Sequence, residues 1–237
     1  YHGKLSSRGQ GLDCKLSKLC NILSNIKGLM RIRYITSHPA DMTDDLINEH
    51  KNNFKLMPYL HLPIQAGSNK ILKEMNRKYT KEEYVEVVDK LRKARPDIAL
   101  TSDFIVGFPG EKDQDFDETL DLVKTLKFAG SYSFKYSPRP GTPASLHKKL
   151  VDHETMNKRL SILQEVLKDQ QKDFNYSFLD KELPVLIEKT GKKDNQFVGR
   201  SEYLQPVHIL SKNNIIGEIV NVKINSITSF SLHGKVC

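Results

Sequence analysis

Ile98-Ala-Leu-Thr-Ser-Asp-Phe-Ile-Val106, followed at once by Gly107-Phe-Pro-Gly110-Glu111, decides the architecture of this chain. An apolar run of strand length, closed by glycine and proline, reads as a buried strand that ends in a tight turn. Phe116, Leu120, Val123 and Leu126 follow at helical spacing, with Gly130 beyond them as the expected stop. Ser131 to Tyr136 then reads as the next strand. Strand, helix and strand joined by short connections call for a parallel sheet with right-handed crossovers and helices on its outside.

The alternation extends upstream. Leu16, Leu19, Cys20, Leu23 and Ile26 predict a helix stopped by Gly28, and Arg31 to Ile35 a strand. Asp41 or Thr43 caps a helix with Leu46 and Ile47, Met57 to Leu62 is a strand, and Ser68 caps a short helix with Ile71, Leu72 and Met75. Thr80 and Glu83 form a capping box ahead of Tyr84, Val87, Val88 and Leu91. Four parallel strands are too few for an eight-stranded barrel, so the expected fold is α/β, a partial barrel.

Downstream, Pro138-Arg-Pro-Gly141 leads to a long polar helix from Asp152 to Phe178. After it the texture changes to short strands at Leu183–Ile187, Gln196–Val198, Pro206–Leu210, Ile215–Ile224 and Ile227–Leu232, separated by Gly, Asn, Asp and Lys turns. That pattern predicts a small antiparallel β-barrel. The expected domains are therefore 1–178 and 179–237.

Composition narrows the function classes. The chain has 237 residues and a formal net charge of +8. Seven basic and one acidic side chain fall within residues 1–40, so the excess is concentrated at the start. Such an excess suits a polyanionic partner without demanding one. No stretch reaches the roughly 20 apolar residues of a membrane helix. Three scattered cysteines, Cys14, Cys20 and Cys237, exclude a disulfide scaffold and suit a reducing, cytoplasmic setting. A chain opening on Tyr1 rather than Met reads as a truncation. Gly9-Gln-Gly11 begins a dinucleotide fingerprint that Cys14 does not complete, and Cys14 and Cys20 lie six apart on a helical pattern, without metal-pair spacing.

Ligands in parallel α/β folds bind at the carboxyl ends of strands. Three segments sit there: His61-Leu-Pro-Ile-Gln65-Ala-Gly67-Ser68, Thr101-Ser-Asp103-Phe-Ile105-Val-Gly107-Phe-Pro-Gly110-Glu111, and Phe134-Lys-Tyr136-Ser-Pro138-Arg139-Pro-Gly-Thr142. Gln65 and Ser68 offer hydrogen bonds to hydroxyls or a carboxylate. Asp103 interrupts an apolar run and needs a partner. Gly107 and Gly110 permit a positive-φ turn or close backbone approach.

Together with Thr36-Ser-His-Pro39, Met75-Asn-Arg77-Lys-Tyr79-Thr80 and Tyr136-Ser-Pro-Arg-Pro-Gly-Thr142, these segments resemble the radical S-adenosylmethionine (SAM) methylthiotransferases. Within that family the wording is most similar to the branch that methylthiolates an isopentenylated adenosine beside the tRNA anticodon. The resemblance runs from about residue 28 onward and implies that the last 60 residues form a TRAM domain, a small barrel that grips tRNA. It implies a SAM site at Gln65, Ser68, Asp103, Ile105, Gly107, Glu111, Tyr136 and Pro138. It also implies phosphate contacts at Lys189, Lys192, Lys193 and Arg200, with Phe197 and Tyr203 as stacking surfaces. The family's [4Fe–4S] clusters need six cysteines that this chain lacks, three of them spaced C-x-x-x-C-x-x-C, so no metal ligands are assigned. The implied partner is the anticodon stem-loop of tRNA, with the missing N-terminal segment or a separate chain as a second partner and no membrane. Three other readings stay open: an RNA-binding remnant without catalysis, the same chemistry on threonylcarbamoyl-adenosine or a ribosomal-protein aspartate, and a decaying gene product.

Overall fold

In the computed structural model the chain is described at residues 2–7, 10–35, 38–147 and 149–237, with the backbone alone at 2–7 and 10–14. Thr36 and Ser37 of the resembling motif, and Gly9 of the partial fingerprint, lie outside those residues. The first feature is a hairpin that the alternation pattern does not disclose: β1 (His2–Ser7) pairs antiparallel with β2 (Gln10–Lys15), from His2↔Lys15 to Ser7↔Gln10. Cys14 therefore sits on a strand, and only Cys20 belongs to the helix that follows, α1 (Leu16–Ser24).

Next come α2 (Asp44–Asn52), β3 (Tyr59–His61), α3 (Asn69–Glu74), α4 (Lys81–Ala94), β4 (Ala99–Val106), α5 (Asp113–Leu126) and β5 (Gly130–Lys135). The strands form one parallel sheet in the order β3-β4-β5. The expected strand at Arg31–Ile35 is reduced to a single parallel bridge, Ile32↔Leu56. Its alternating Arg31 and Arg33 side chains bond instead to the carbonyls of Pro184, Arg200 and Ser201. The Thr80–Glu83 capping box is present, with Thr80 Oγ1 accepting from the Glu83 N–H and Glu83 accepting from the Thr80 N–H. Gly130 does not stop α5; Lys127, at φ 51°, turns the chain, and Gly130 opens β5.

Every helix from α2 to α5, and the long helix after β5, packs into the core on the same side of the sheet. Leu60, Leu62, Leu100, Phe104 and Val106 point into a core with Leu46 and Ile47 of α2, Ile71 and Leu72 of α3, Tyr84, Val88 and Leu91 of α4, and Phe116, Leu120 and Val123 of α5. Leu163 and Leu167 join from α6 (His153–Tyr176), whose first turn is capped by the Asp152 carboxylate accepting from the Thr155 N–H. A close approach fixes the loop before α3. A Cβ on Gly67 would lie 2.6 Å from both the carbonyl oxygen of Glu118 and Cα of Thr119, backbone atoms that cannot rotate away. Gly67→Ala is expected to cost about 1–3 kcal/mol, the range for overpacking, seen as a lower urea midpoint at unchanged slope.

The C-terminal strands are β6 (Glu182–Thr190), β7 (Gln196–Arg200), β8 (Pro206–Leu210), β9 (Ile219–Ile227) and β10 (Leu232–Val236). They close into a barrel in the order β10-β8-β7-β6-β9. All pairs are antiparallel except the closing β10–β8 seam, which is parallel. Thus the small barrel is mixed rather than wholly antiparallel, and its last strand starts at Leu232, where Ile227–Leu232 had been expected. Residues Thr228 to Ser231 instead form a turn locked by hydrogen bonds between Thr228 and Ser231. The barrel core is Leu183, Val185, Ile187, Phe197, Val207, Ile209, Val222, Ile224 and Leu232, with Phe178 closing one end.

Candidate functional site

Helices cover one face of the three-stranded sheet; the other is exposed at its β5 edge and closed at Ala99 and Thr101, which are 1% and 8% exposed. Side chains alternate along a strand, and registered partners on parallel neighbours share a face. The register Tyr59↔Ala99, His61↔Thr101, Asp103↔Tyr132 and Ile105↔Phe134 therefore sets Tyr59, His61, Thr101, Asp103, Ile105, Tyr132 and Phe134 on that second face. Parallel sheets are normally buried on both faces. Here Tyr132 and Phe134 are 67% and 53% exposed.

The polar members of this face form a connected chain. His61 Nε2 lies 3.4 Å from Asp103 Oδ2, His61 Nδ1 lies 2.9 Å from Thr101 Oγ1, and the Thr101 hydroxyl donates to Tyr59 Oη at 3.2 Å. Asp103, the carboxylate that broke the apolar run, thus has its partner on the adjacent strand. Two aromatic rings beside a carboxylate, an imidazole and hydroxyls can stack a flat heterocycle and hydrogen-bond its edge or an attached ribose.

The strand ends converge as well. Gln65, at φ 81°, is locked beside β4: its N–H donates to the Asp103 carbonyl (3.0 Å) and its carbonyl accepts from the Ile105 N–H (2.9 Å). Tyr136 continues β5, its N–H donating to the Val106 carbonyl at 2.8 Å. Its ring meets Phe108 edge-on with centroids 5.1 Å apart, and its hydroxyl is enclosed without a hydrogen-bond partner. Gln65, Asp103, Ile105 and Tyr136 accordingly stand on adjoining strand ends. Pro138 lies exposed just past them.

Three other residues from the strand-end motifs are occupied internally. Ser68 precedes α3 without capping it; its hydroxyl donates to Asp115 Oδ1 at 2.7 Å. Burial works against the Asp115 charge, but Lys70 Nζ (2.6 Å), the Lys112 N–H and Ser68 together hold it below the usual carboxylate range. Glu111 is buried, with Oε1 2.7 Å from Arg159 Nη1 of α6 and accepting from the Gly107 N–H at 2.9 Å. Burial pushes its carboxyl up, opposed by those two donors. Gly107, at φ 70°, leaves its Cβ space to Met156, whose Sδ would be 2.6 Å away. These groups therefore tie the strand-end loop to α5 and α6.

On the barrel, Lys189, Lys192 and Lys193 are exposed along the β6–β7 hairpin. Arg200 is half-buried, with Nη1 donating to the Leu204 carbonyl and Nε 3.6 Å from Glu188. Of the two expected stacking surfaces, Phe197 is corrected and Tyr203 stays half-buried. Phe197 is 7% exposed, inside the barrel core, because it lies opposite the core residue Ile209 in the β7–β8 register. Tyr203 is packed against Phe174 and Phe178, and its hydroxyl donates to Asp97 Oδ2 at 3.2 Å. Burial, with Asp97 adding to it, pushes its phenol up to about 12.

Among the described residues, no group of three or more His, Cys, Asp or Glu side chains could hold a metal ion. Cys20 is buried and its thiol is pushed up to about 11 by desolvation and by Glu49, away from the thiolate a cluster needs. The donor set of these residues does not fit an iron–sulfur cluster.

A model of the radical SAM superfamily matches residues 11–123, and one of the TRAM domain matches residues 178–237. The tRNA-2-methylthio-N(6)-dimethylallyladenosine synthase of Orientia tsutsugamushi (strain Boryong) is 52% identical over 239 residues, covering 100% of this chain and 52% of the relative. The synthase of that name from Maricaulis maris (strain MCS10) is 52% identical over 221 residues, covering 93% of this chain and 48% of the relative. Among solved structures, the coproporphyrinogen III oxidase HemN of Escherichia coli, a radical SAM enzyme, superposes with a TM-score of 0.53 at 12% identity. The match covers 92% of this chain and 54% of that one, a likeness of fold alone. The chain spans about half the length of the curated relatives it matches.

Proposed function

From the kinship of this chain, over its whole length, to the tRNA methylthiotransferases of the radical SAM family with a TRAM domain, we propose that it forms the nucleoside-facing sheet and the RNA-holding barrel of such an enzyme. The substrate in this reading is N6-isopentenyladenosine beside the anticodon, and the cofactor is SAM. The observation that carries the reading is the pairing of a polar, aromatic, partly exposed sheet face with a closed barrel edged by exposed lysines.

Each side chain then has a task. Asp103, oriented by His61, accepts from hydroxyls of a ribose. Gln65, Ile105 and Tyr136 wall the strand ends where a SAM-sized ligand lies, and Tyr132 and Phe134 offer ring faces to a base. Ser68, Gly107 and Glu111 support that wall from behind. The family's [4Fe–4S] chemistry requires thiolates from outside the described residues.

RNA binding tests the reading directly. An isopentenylated anticodon stem-loop is expected to bind the chain at low salt with an affinity that falls linearly on a log–log salt plot. Replacing Lys189, Lys192 and Lys193 together by Ala should lower that slope by about 2–3, one unit per lost phosphate contact. Absence of binding at low salt sinks the proposal.

A further inference from the structure

The C-terminal barrel has one weak joint. Its closing seam, β8 to β10, is the parallel one, and parallel pairing is slightly less stable per residue. The seam is also the shortest, held by the registered pairs Leu232↔Val207, His233↔His208 and Gly234↔Ile209. Side chains alternate along a strand, so the first and last of these pairs face the core, where Leu232 and Val207 are fully buried. The middle pair faces outward. Its two imidazoles stack across the seam with centroids 4.9 Å apart and planes 16° from parallel.

Charge on these rings is poorly served by the geometry. His208 Nδ1 is enclosed and has no hydrogen-bond partner, and His233 Nε2 reaches Ser231 Oγ only at 3.5 Å. Thr228 Oγ1 shares that hydroxyl at 2.8 Å. Burial, with His233 adding to it, pushes the His208 imidazole down from its ordinary value. The strands on either side bring no counter-charge into the same row: Val198 of β7 registers with His208, and Ser226 of β9 with His233. Lys189 of β6 follows beyond Val198. In the row on one side, Lys235 registers with Lys223 and Lys223 with Glu182. In the row on the other, Pro206 registers with Arg200, whose Nε lies 3.6 Å from Glu188. Cations outnumber the two carboxylates, and each carboxylate is matched to a cation of its own.

We propose that the His208–His233 pair is an acid-released latch: stacked and neutral it holds β10 to β8, and doubly protonated it frees the seam. Two imidazolium rings with centroids 4.9 Å apart repel, and each charge is better hydrated once the strands part. The closed barrel therefore takes up these protons less readily than the open one. Its seam is complete above the ordinary imidazole value, about pH 6.5, and is lost as pH falls below it. Strand β10 stays attached through its antiparallel register with β9, from Leu232↔Ile227 to Val236↔Val222, and β6, β7 and β9 contain no histidine. Acid thus converts the closed barrel into an open sheet in the order β8-β7-β6-β9-β10, baring Val207, Ile209 and Leu232 of its core. The latch acts on the fold of the barrel and holds whether or not the barrel meets RNA.

Amide hydrogen exchange of the full chain between about pH 7.5 and 5, corrected for the intrinsic effect of pH, tests it. Seam amides within 207–209 and 232–234 are expected to open roughly tenfold more often at the lower pH, a factor between the limits for two charges in water and at a protein surface. Amides of β4, and those joining β6 to β9, should not follow. His208→Gln and His233→Gln should each remove most of the increase, and the double variant should add little more, because either substitution alone ends the repulsion. A flat wild type, or an increase that survives in both single variants, overturns the latch. Equal acceleration throughout the barrel also overturns it, since that is acid unfolding of the whole barrel. Where a variant folds poorly, imidazole NMR of the wild type decides: the pair should take up its two protons in separated steps. Two independent titration curves at the ordinary midpoint refute the proposal.

Discussion

Arg159→Met is expected to destabilise the protein by about 3–5 kcal/mol, the cost of stranding a buried charge. Arg159 and Glu111 have side chains only 7% and 2% exposed, and their 2.7 Å contact joins the loop after β4 to the first half of α6. Removing the guanidinium leaves the Glu111 carboxylate in apolar surroundings with only the Gly107 N–H to answer it. The second arm of Arg159, to Asp113 Oδ1, adds little because that carboxylate is 94% exposed. Urea unfolding at neutral pH measures the loss. The double variant Arg159→Met, Glu111→Gln should recover most of it, since replacing a buried pair costs far less than breaking one. A single variant within 1 kcal/mol of wild type would show that the pair does not hold this loop.

His50 gives the second large effect, and it depends on pH. The ring is fully buried on α2, with Nε2 2.6 Å from Tyr34 Oη and Nδ1 without a partner. Burial, with the Arg95 cation adding to it, pushes the imidazole down to about 4. The unfolded chain holds this proton near the ordinary value of about 6.5. The folded value is the lower one, so protonation favours the unfolded state. The contribution is complete above about pH 6.5, declines as pH falls toward 4, and is gone below that. Its full size is about 3 kcal/mol. Comparing wild type with His50→Gln by urea unfolding between pH 7.5 and 4 isolates it from the carboxylates, which titrate in both. Parallel curves would refute the assignment.

Features local in sequence were readable from it. Thr80 and Glu83 are three apart, so their capping box shows in the letters, and the alternation from Met57 to Tyr136 is enough for β3, β4 and β5. Groups whose partners are distant were not. Ser68 reads as a helix cap until Asp115, 47 residues on, takes its hydroxyl; Glu111 reads as a ligand-facing residue until Arg159, 48 residues on, pairs with it. Arg31 to Ile35 has strand-like letters, but its arginines bond to barrel carbonyls more than 150 residues away, and only Ile32 keeps a sheet partner. Phe197 failed for another reason: Val198 beside it is apolar too, so the letters do not tell which of the two faces the barrel core. The hairpin β1–β2 carries little apolar pattern, and its pairing rests on backbone hydrogen bonds to which residue type is nearly blind.

One element reaches from the loop behind the strand ends to the barrel. Helix α6 meets Gly107 and Glu111 through Met156 and Arg159 near its start, and near its end Asn175 accepts from Gln205 Nε2 at 2.7 Å while Phe174 packs on Tyr203. Its 24 residues make a rod about 36 Å long at 1.5 Å per residue. Rods of this length transmit angle as displacement: a tilt of about 5° at one end carries the other by about 3 Å. Because Leu163 and Leu167 also seat the middle of the rod in the sheet core, the helix works as a strut and fixes the spacing between Gly107 and the barrel.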